Sequence, residues 1–372
     1  MRIPIGVHYG NSVLCLRELV MIFLIPLLAF CTCAILHTIA LRDFVKLDLL
    51  DYPERYGHKR KRVPYPTGIL AVLTFVMIFS IIAPWTTQSA GILIGVFLLA
   101  LVSFTDDRIG LNPNVRLILQ ILITFIIFAT GSRIYTLTNP LLPDGIIKLD
   151  TVDVFLPQFS IFHFQFSIPI GPLPVLSGIF TIVWMMLCIN ALNWFDGIPG
   201  QVSVLSTIGF LVIGALSLSD RVSQPEVALL AFILAAIAAA GALFDIPPNK
   251  VLMGDTGAMF FGLMLGVLTI YSGGKVATAF LVLGVPLIDV FLVILRRVWK
   301  GKNPMKGNAT DEHLHHRLLG KGWSERRIIV LTAGLGALFG VSALFLDTLE
   351  KVIAAGALFI VMTGLSVYSR VR

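Results

Sequence analysis

The sequence predicts an all-α polytopic membrane protein of about 10–11 transmembrane helices, with a small external β-hairpin region. Three observations carry this expectation. Apolar residues make up 57% of the 372 positions and charged residues only 13%, whereas a water-soluble domain carries about a quarter charged. Mean hydropathy is +0.91. The few charges gather in short polar clusters between long apolar runs, the pattern of a chain that passes repeatedly between water and lipid.

Residues 1–18 read as a short lead-in. The first apolar run, 19–41, is long enough to cross a bilayer, and no small-residue cleavage site follows it. It is therefore expected to stay as a helix rather than be removed as a secretory signal. Further runs follow at 67–85, 90–105, 115–130, 174–192, 201–218, 225–243, 257–272, 274–296, 327–346 and 350–368. Several fall short of the roughly 20 residues that a perpendicular span needs. Residues 19–372 thus form one multi-pass domain, with no internal repeat or low-complexity tract. The stretch 132–172 is different. Pro143-Asp144-Gly145 and the alternation of polar residues with Phe159, Ile161, Phe162, Phe164 and Phe166 predict β-hairpins. His163 lies there and reads as an edge residue rather than a ligand.

Orientation follows from the cations. If the loop 42–66 is cytoplasmic, so are the segments 106–116, 193–200, 244–256 and 296–327 and the C-terminal tail, and these hold 21 of the 28 Lys and Arg. That bias puts the N-terminus outside and, with eleven spans, the C-terminus inside the cell membrane. The same rule accounts for the net charge of +7 without nucleic acid as a partner. Cys15, Cys31, Cys33 and Cys188 have no zinc-type spacing and imply no disulfide framework.

Only 21 residues are acidic, so their positions are informative. Asp106-Asp107 closes the third apolar run, Asp196 lies at the end of the fifth, and Asp255 opens the eighth. His313, His315, His316 and Arg317 share the last large cytoplasmic segment. An Asp at a helix end can be simply a cap or a dipole partner, and Asp255-Thr256-Gly257 fits an N-cap well. Capping does not explain why all four groups fall on one face. Adjacent carboxylates repel, and an unpaired charge near hydrocarbon costs a few kcal/mol. A hard divalent cation and phosphates resolve this: carboxylate and amide oxygens suit Mg²⁺, and Arg and protonated His suit phosphate oxygens. The spacing of His313, His315 and His316 lacks the companion ligands of a zinc site, and there is no P-loop or dinucleotide fingerprint.

These motifs, in order from about Asp51 to Gly322, make the chain resemble the polyprenyl-phosphate N-acetylhexosamine-1-phosphate transferases, of which the phospho-MurNAc-pentapeptide transferases are cousins. Asp51-Tyr52-Pro53, His58, Pro64, Pro66 and Gly68 resemble the opening signature. Asp106-Asp107 with Leu111, Arg116 and Gln120 match the aspartate pair and its sequel. Asn190, Asn193, Asp196, Gly197 and Gly200 match the N-x-x-N-x-x-D-G-x-x-G segment, and Met253 to Gly257 match M-G-D-S/T-G. Pro286 to Asp289 and Arg296-Arg297 match the following helix, and His313 to Leu318 match H-x-H-H-R-L of the hexosamine branch. Two positions depart: Pro199 stands where a second Asp is usual, and Asn114 where a lysine is often found, with Arg116 two residues on.

The resemblance implies transfer of N-acetylhexosamine-1-phosphate, GlcNAc-1-phosphate above all, from a UDP-sugar to a polyprenyl phosphate such as undecaprenyl phosphate. It implies Mg²⁺, with Mn²⁺ as a substitute, held by Asp255 and Asn193. The catalytic set is Asp106, Asp107, Asp196 and Asp255. Asp106 acts on the lipid phosphate, and Asp107 supports the metal or the cation network. Asn190, Asn193, Arg116, His313, His315, His316 and Arg317 bind substrate. Arg116 meets the acceptor, and the histidines with Arg317 hold the diphosphate or the sugar nucleotide. Asp289, inside the ninth run, reads equally as a functional acid or a structural ion pair and stays outside the catalytic set. The competing readings are a UDP-MurNAc-pentapeptide phosphotransferase, a lipid or solute transporter, and an inactive scaffold. A transporter would carry polar groups at mid-membrane and two similar halves. Single and double displacement both fit, and a homodimer is left open.

Overall fold

A computed structural model describes residues 16–56, 61–139, 145–151, 153–154, 173–271, 276–302 and 312–370. The chain forms helices α1 (Leu16–Lys46), α2 (Gly68–Ile82), α3 (Thr87–Ile109), α4 (Pro113–Ala129), α5 (Val175–Phe195), α6 (Gln201–Leu218) and α7 (Pro225–Asp245). It continues through α8 (Gly254–Tyr271), α9 (Val276–Val282), α10 (Gly284–Trp299), α11 (Leu314–Gly320), α12 (Glu325–Ser342) and α13 (Thr348–Tyr368). Among the described residues, each apolar run expected from the sequence is mainly helical. The protein is a multi-pass membrane protein: seven of the helices are long and apolar enough to cross a bilayer, while α2 and α4 are shorter apolar helices.

Local chemistry sets the helix starts. Thr86 and Ser89 form a reciprocal capping box before α3, and Asp347 with Glu350 does the same before α13. Asn112 caps α4, and Pro113 follows at its first position, where a missing N–H costs nothing. The expected span 274–296 is not one straight helix. Residues 272–275 lie outside the described set, and α9 and α10 meet at 81° around Leu283. Pro286 sits in the first turn of α10, where its ring is tolerated, and would break a helix continued from α9.

The centre of the bundle is α8, in which every residue except Asp255 and Tyr271 is buried. A helix that is apolar all round belongs inside. It packs against α2, α3, α5 and α6, so its N-terminal end is gripped by the ends of its neighbours. Of the β-rich region, β1 (Thr136–Thr138) pairs antiparallel with β2 (Ile146–Lys148). A two-residue pair, β3 (Asp153–Val154) with β4 (Leu173–Pro174), leads into α5. Pro143, Asp144, His163 and the phenylalanine-rich stretch lie outside the described residues, as does His58. Since β1 follows α4, the hairpin sits one helix length, about 25 Å, from the Arg116 end.

Candidate active site

The acid pair ends α3, and the two carboxylates go different ways. A carboxylate at a helix C-terminus meets the negative end of the dipole and needs compensation. Asp107 finds it at the positive end of α8: its Oδ1 accepts from Asp255 N at 2.9 Å, and its Oδ2 from Thr256 N at 3.0 Å and Thr256 Oγ1 at 2.6 Å. Tyr65 adds its hydroxyl to Oδ1 at 2.5 Å. Asp107 is thus the cap of α8, supplied by another helix. Gly254 makes the turn, with φ of +77°; a side chain there would also meet Tyr65 and Pro66.

Asp106 turns to the other side. It accepts from Leu111 N at 2.7 Å and from Arg116 Nη1 at 2.5 Å. The same Nη1 reaches Asp255 Oδ2 at 3.0 Å, so Arg116 bridges the two carboxylates. These groups line a cavity of about 670 Å³ together with Asn190 and His313. Asn190 donates to Gln120 Oε1 at 3.0 Å. His313 Nδ1 is 2.8 Å from Asp289 Oδ2, and the other Asp289 oxygen accepts from Leu314 N. Asp289 therefore fixes the ring of His313 and caps α11 at once.

The remaining expected residues lie around this cavity rather than on its wall. The amide of Asn193 faces the Asp255 carboxylate, and its buried Nδ2 has no partner at hydrogen-bond distance among the described residues. Asp196 follows α5 and is half-buried. Burial lifts its carboxyl well above the usual range, and repulsion from Asp245, Asp255 and Asp107 pushes the same way. Asp245 lies beneath this loop, accepting from Ser203 Oγ at 2.8 Å. His315 is 2% exposed, and a Cβ on Gly197 would run into its ring, so glycine is required there for the close approach. Burial first, then the neighbouring His316, pushes the His315 imidazole down to about 3. Neither of its buried ring nitrogens has a hydrogen-bond partner among the described residues. His316 and Arg317 line a different cavity.

The residues on the cavity wall that the sequence did not single out include Tyr65, Arg108 and Trp194, while Arg297 was matched only as part of a motif. Tyr65 sits between the two prolines of the first signature, and nothing in a Pro-Tyr-Pro triplet announces a carboxylate partner. Arg297 is held by Glu312 at 2.5 Å and stands 5.8 Å over the Trp194 ring.

The donor chemistry fits a hard cation. Asp255, Asp106 and the Asn193 amide offer oxygen, with no thiolate near. Among the described residues no three His, Cys, Asp or Glu side chains form a closed cage.

The fold and this cavity define a multi-pass membrane protein with a carboxylate–arginine site at one end of its bundle. Residues 89–273, which include both Asp106 and Asp255, match the model of glycosyl transferase family 4. A probable undecaprenyl-phosphate N-acetylglucosaminyl 1-phosphate transferase of Bacillus subtilis is 27% identical over 95% of this chain and 92% of its own length. A decaprenyl-phosphate N-acetylglucosaminephosphotransferase of Mycolicibacterium smegmatis is 27% identical over 78% of this chain and 71% of its own length. An undecaprenyl-phosphate alpha-N-acetylglucosaminyl 1-phosphate transferase of Escherichia coli K12 is 24% identical over 80% of this chain and 77% of its own length.

Proposed function

We propose that the protein transfers N-acetylglucosamine-1-phosphate from UDP-N-acetylglucosamine to a polyprenyl phosphate, giving polyprenyl-diphospho-N-acetylglucosamine and UMP. The observation that carries the reading is the Asp106–Arg116–Asp255 bridge on the wall of the cavity, within the segment that matches glycosyl transferase family 4. The acceptor phosphate forms a new P–O bond to the sugar-bearing phosphorus, and the bond to UMP breaks. Such a transfer depends on positioning and charge neutralisation.

Asp106 orients the acceptor phosphate and takes its proton when it arrives protonated. Arg116 lowers the repulsion between that phosphate and the two carboxylates. His313, its ring fixed by Asp289, offers its second nitrogen to the donor diphosphate. Mg²⁺ is the proposed cofactor, with Asp255 and the Asn193 amide as the residues that would hold it; when bound it supplies charge neutralisation at the diphosphate oxygens and the departing UMP. This reading puts the cavity on the cytoplasmic face of the cell membrane, the N-terminus outside and the C-terminus inside. The clustering of Lys and Arg supports that orientation.

The test is UMP release by purified protein given Mg²⁺, a short polyprenyl phosphate and a panel of UDP-sugars. Release is expected with UDP-N-acetylglucosamine, and only when acceptor is present. No release with any donor, or release only with UDP-MurNAc-pentapeptide, overturns the assignment.

A further inference from the structure

A second cavity, of about 680 Å³, lies behind the wall formed by the end of α10 and the start of α11. Aspartates and arginines balance in the lining of the first cavity, whereas cations predominate in this one. Arg296, Lys300, Arg317 and Arg370 line it together with His316, and Glu312 is the one carboxylate among its described lining residues. That carboxylate is already engaged by Arg297 from the other side. Neighbouring residues thus face different cavities: Arg297 and His313 the first, Arg296 and His316 the second.

The fold balances these cations only in part, with Asp289 and Glu312 attracting Arg296 and Asp289 attracting Arg317. Arg317 is 9% exposed; its two terminal nitrogens reach Ser366 on α13, while its Nε has no partner among the described residues. The buried Nη2 of Arg296 also lacks one. Burial, and then repulsion from Arg296, pushes the Arg317 guanidinium down to about 10. Clustered guanidinium groups that keep free donors and outnumber the carboxylates near them are stabilised by an anion, and phosphate oxygens suit their geometry.

The surroundings indicate which anion. Trp299 is 81% exposed beside the cavity, and Val298, Val367 and Tyr368 are all more than half exposed at the ends of α10 and α13. Exposed Trp and Tyr at helix ends mark the level of the lipid headgroups. A basic pocket between transmembrane helix ends at that level matches anionic headgroup chemistry. We infer that this cavity binds the headgroup phosphate of an anionic phospholipid, whose acyl chains lie along the exposed ends of α10 and α13. The site is separate from the carboxylate cavity, and its occupancy does not depend on the reaction proposed there.

The experiment is native mass spectrometry of the full chain titrated with phosphatidylglycerol or phosphatidylcholine. Phosphatidylglycerol is expected to bind in preference to phosphatidylcholine. The Arg296→Gln/Arg370→Gln double variant should lose about fivefold in affinity for each charge removed, roughly 25-fold in all. Arg370→Lys, which keeps the charge, should retain binding. If the double variant does not fold, Lys300→Gln at an exposed position reads the same effect at about fivefold. Unchanged phosphatidylglycerol binding by the folded variants overturns the inference. Displacement of the lipid by UMP or inorganic phosphate would assign the pocket to a soluble phosphate, and displacement by polyprenyl phosphate would assign it to the acceptor; either result overturns the phospholipid assignment.

Discussion

Replacing Asp107 with Asn isolates the role of the carboxylate that joins α3 to α8. Each of its oxygens accepts two hydrogen bonds: Oδ1 from Tyr65 Oη and Asp255 N, Oδ2 from Thr256 N and Thr256 Oγ1. An amide keeps one acceptor and turns an NH₂ toward the other pair of donors. Two charge-assisted bonds are lost, each contributing about 1.5–3 kcal/mol, so the cost is about 3–6 kcal/mol. For a chain of this size that corresponds to a Tm lower by roughly 4–8 °C. Because the bonds lost hold the backbone of Asp255 itself, a shift of about 1 Å there should also lower turnover about a hundredfold. The assays are thermal unfolding of the purified protein in detergent and UMP release. Thr256→Val, which deletes one of the four donors, should lower Tm by only a few degrees (about 3 °C) and keep most activity. Loss of activity in Asp107→Asn with an unchanged Tm would refute this reasoning, because the carboxylate would then be acting on metal or substrate rather than capping α8.

Asp255→Asn should behave in the opposite way, with Tm kept and UMP release down about a hundredfold or more; near-normal release with Mg²⁺ limiting would remove Asp255 from the metal site. Asp289→Asn releases the His313 ring and should weaken donor binding, seen as a raised KM for the UDP-sugar; an unchanged KM would mean that His313 does not touch the donor. His315 predicts a pH dependence of stability. Its folded value, about 3, lies below the unfolded 6.5, so its contribution is complete above about pH 6.5 and is lost as pH falls. Between about pH 6.5 and 5 the loss is on the order of 1–2 kcal/mol, and His315→Gln should flatten the Tm-versus-pH curve there; an equally steep curve in the variant would place the titration elsewhere. For sidedness, with Cys15 removed, Lys302→Cys should be shielded from an impermeant thiol reagent on intact cells while Asp150→Cys reacts; external labelling at 302 would invert the proposed orientation.

The sequence by itself determined the membrane class, the apolar runs that became helices, and the collection of Asp106, Asp107, Arg116, Asp255 and His313 near helix ends. These are local properties: run length, charge spacing and motif order need no knowledge of what packs on what. It also pointed to Asp289 as an acid inside an apolar run, though its partner His313 lies 24 residues away. Tertiary structure decided which neighbours act together. Asp106 and Asp107 are adjacent, yet one bridges through Arg116 to Asp255 while the other caps α8 across 149 residues of chain. His313 faces the carboxylate cavity, His315 is buried against Gly197, and His316 and Arg317 line the cationic pocket. The physical reason is rotation. Successive residues of a helix point about 100° apart, so a compact motif spreads over several faces, and only the packing of those faces fixes which side chains share a cavity.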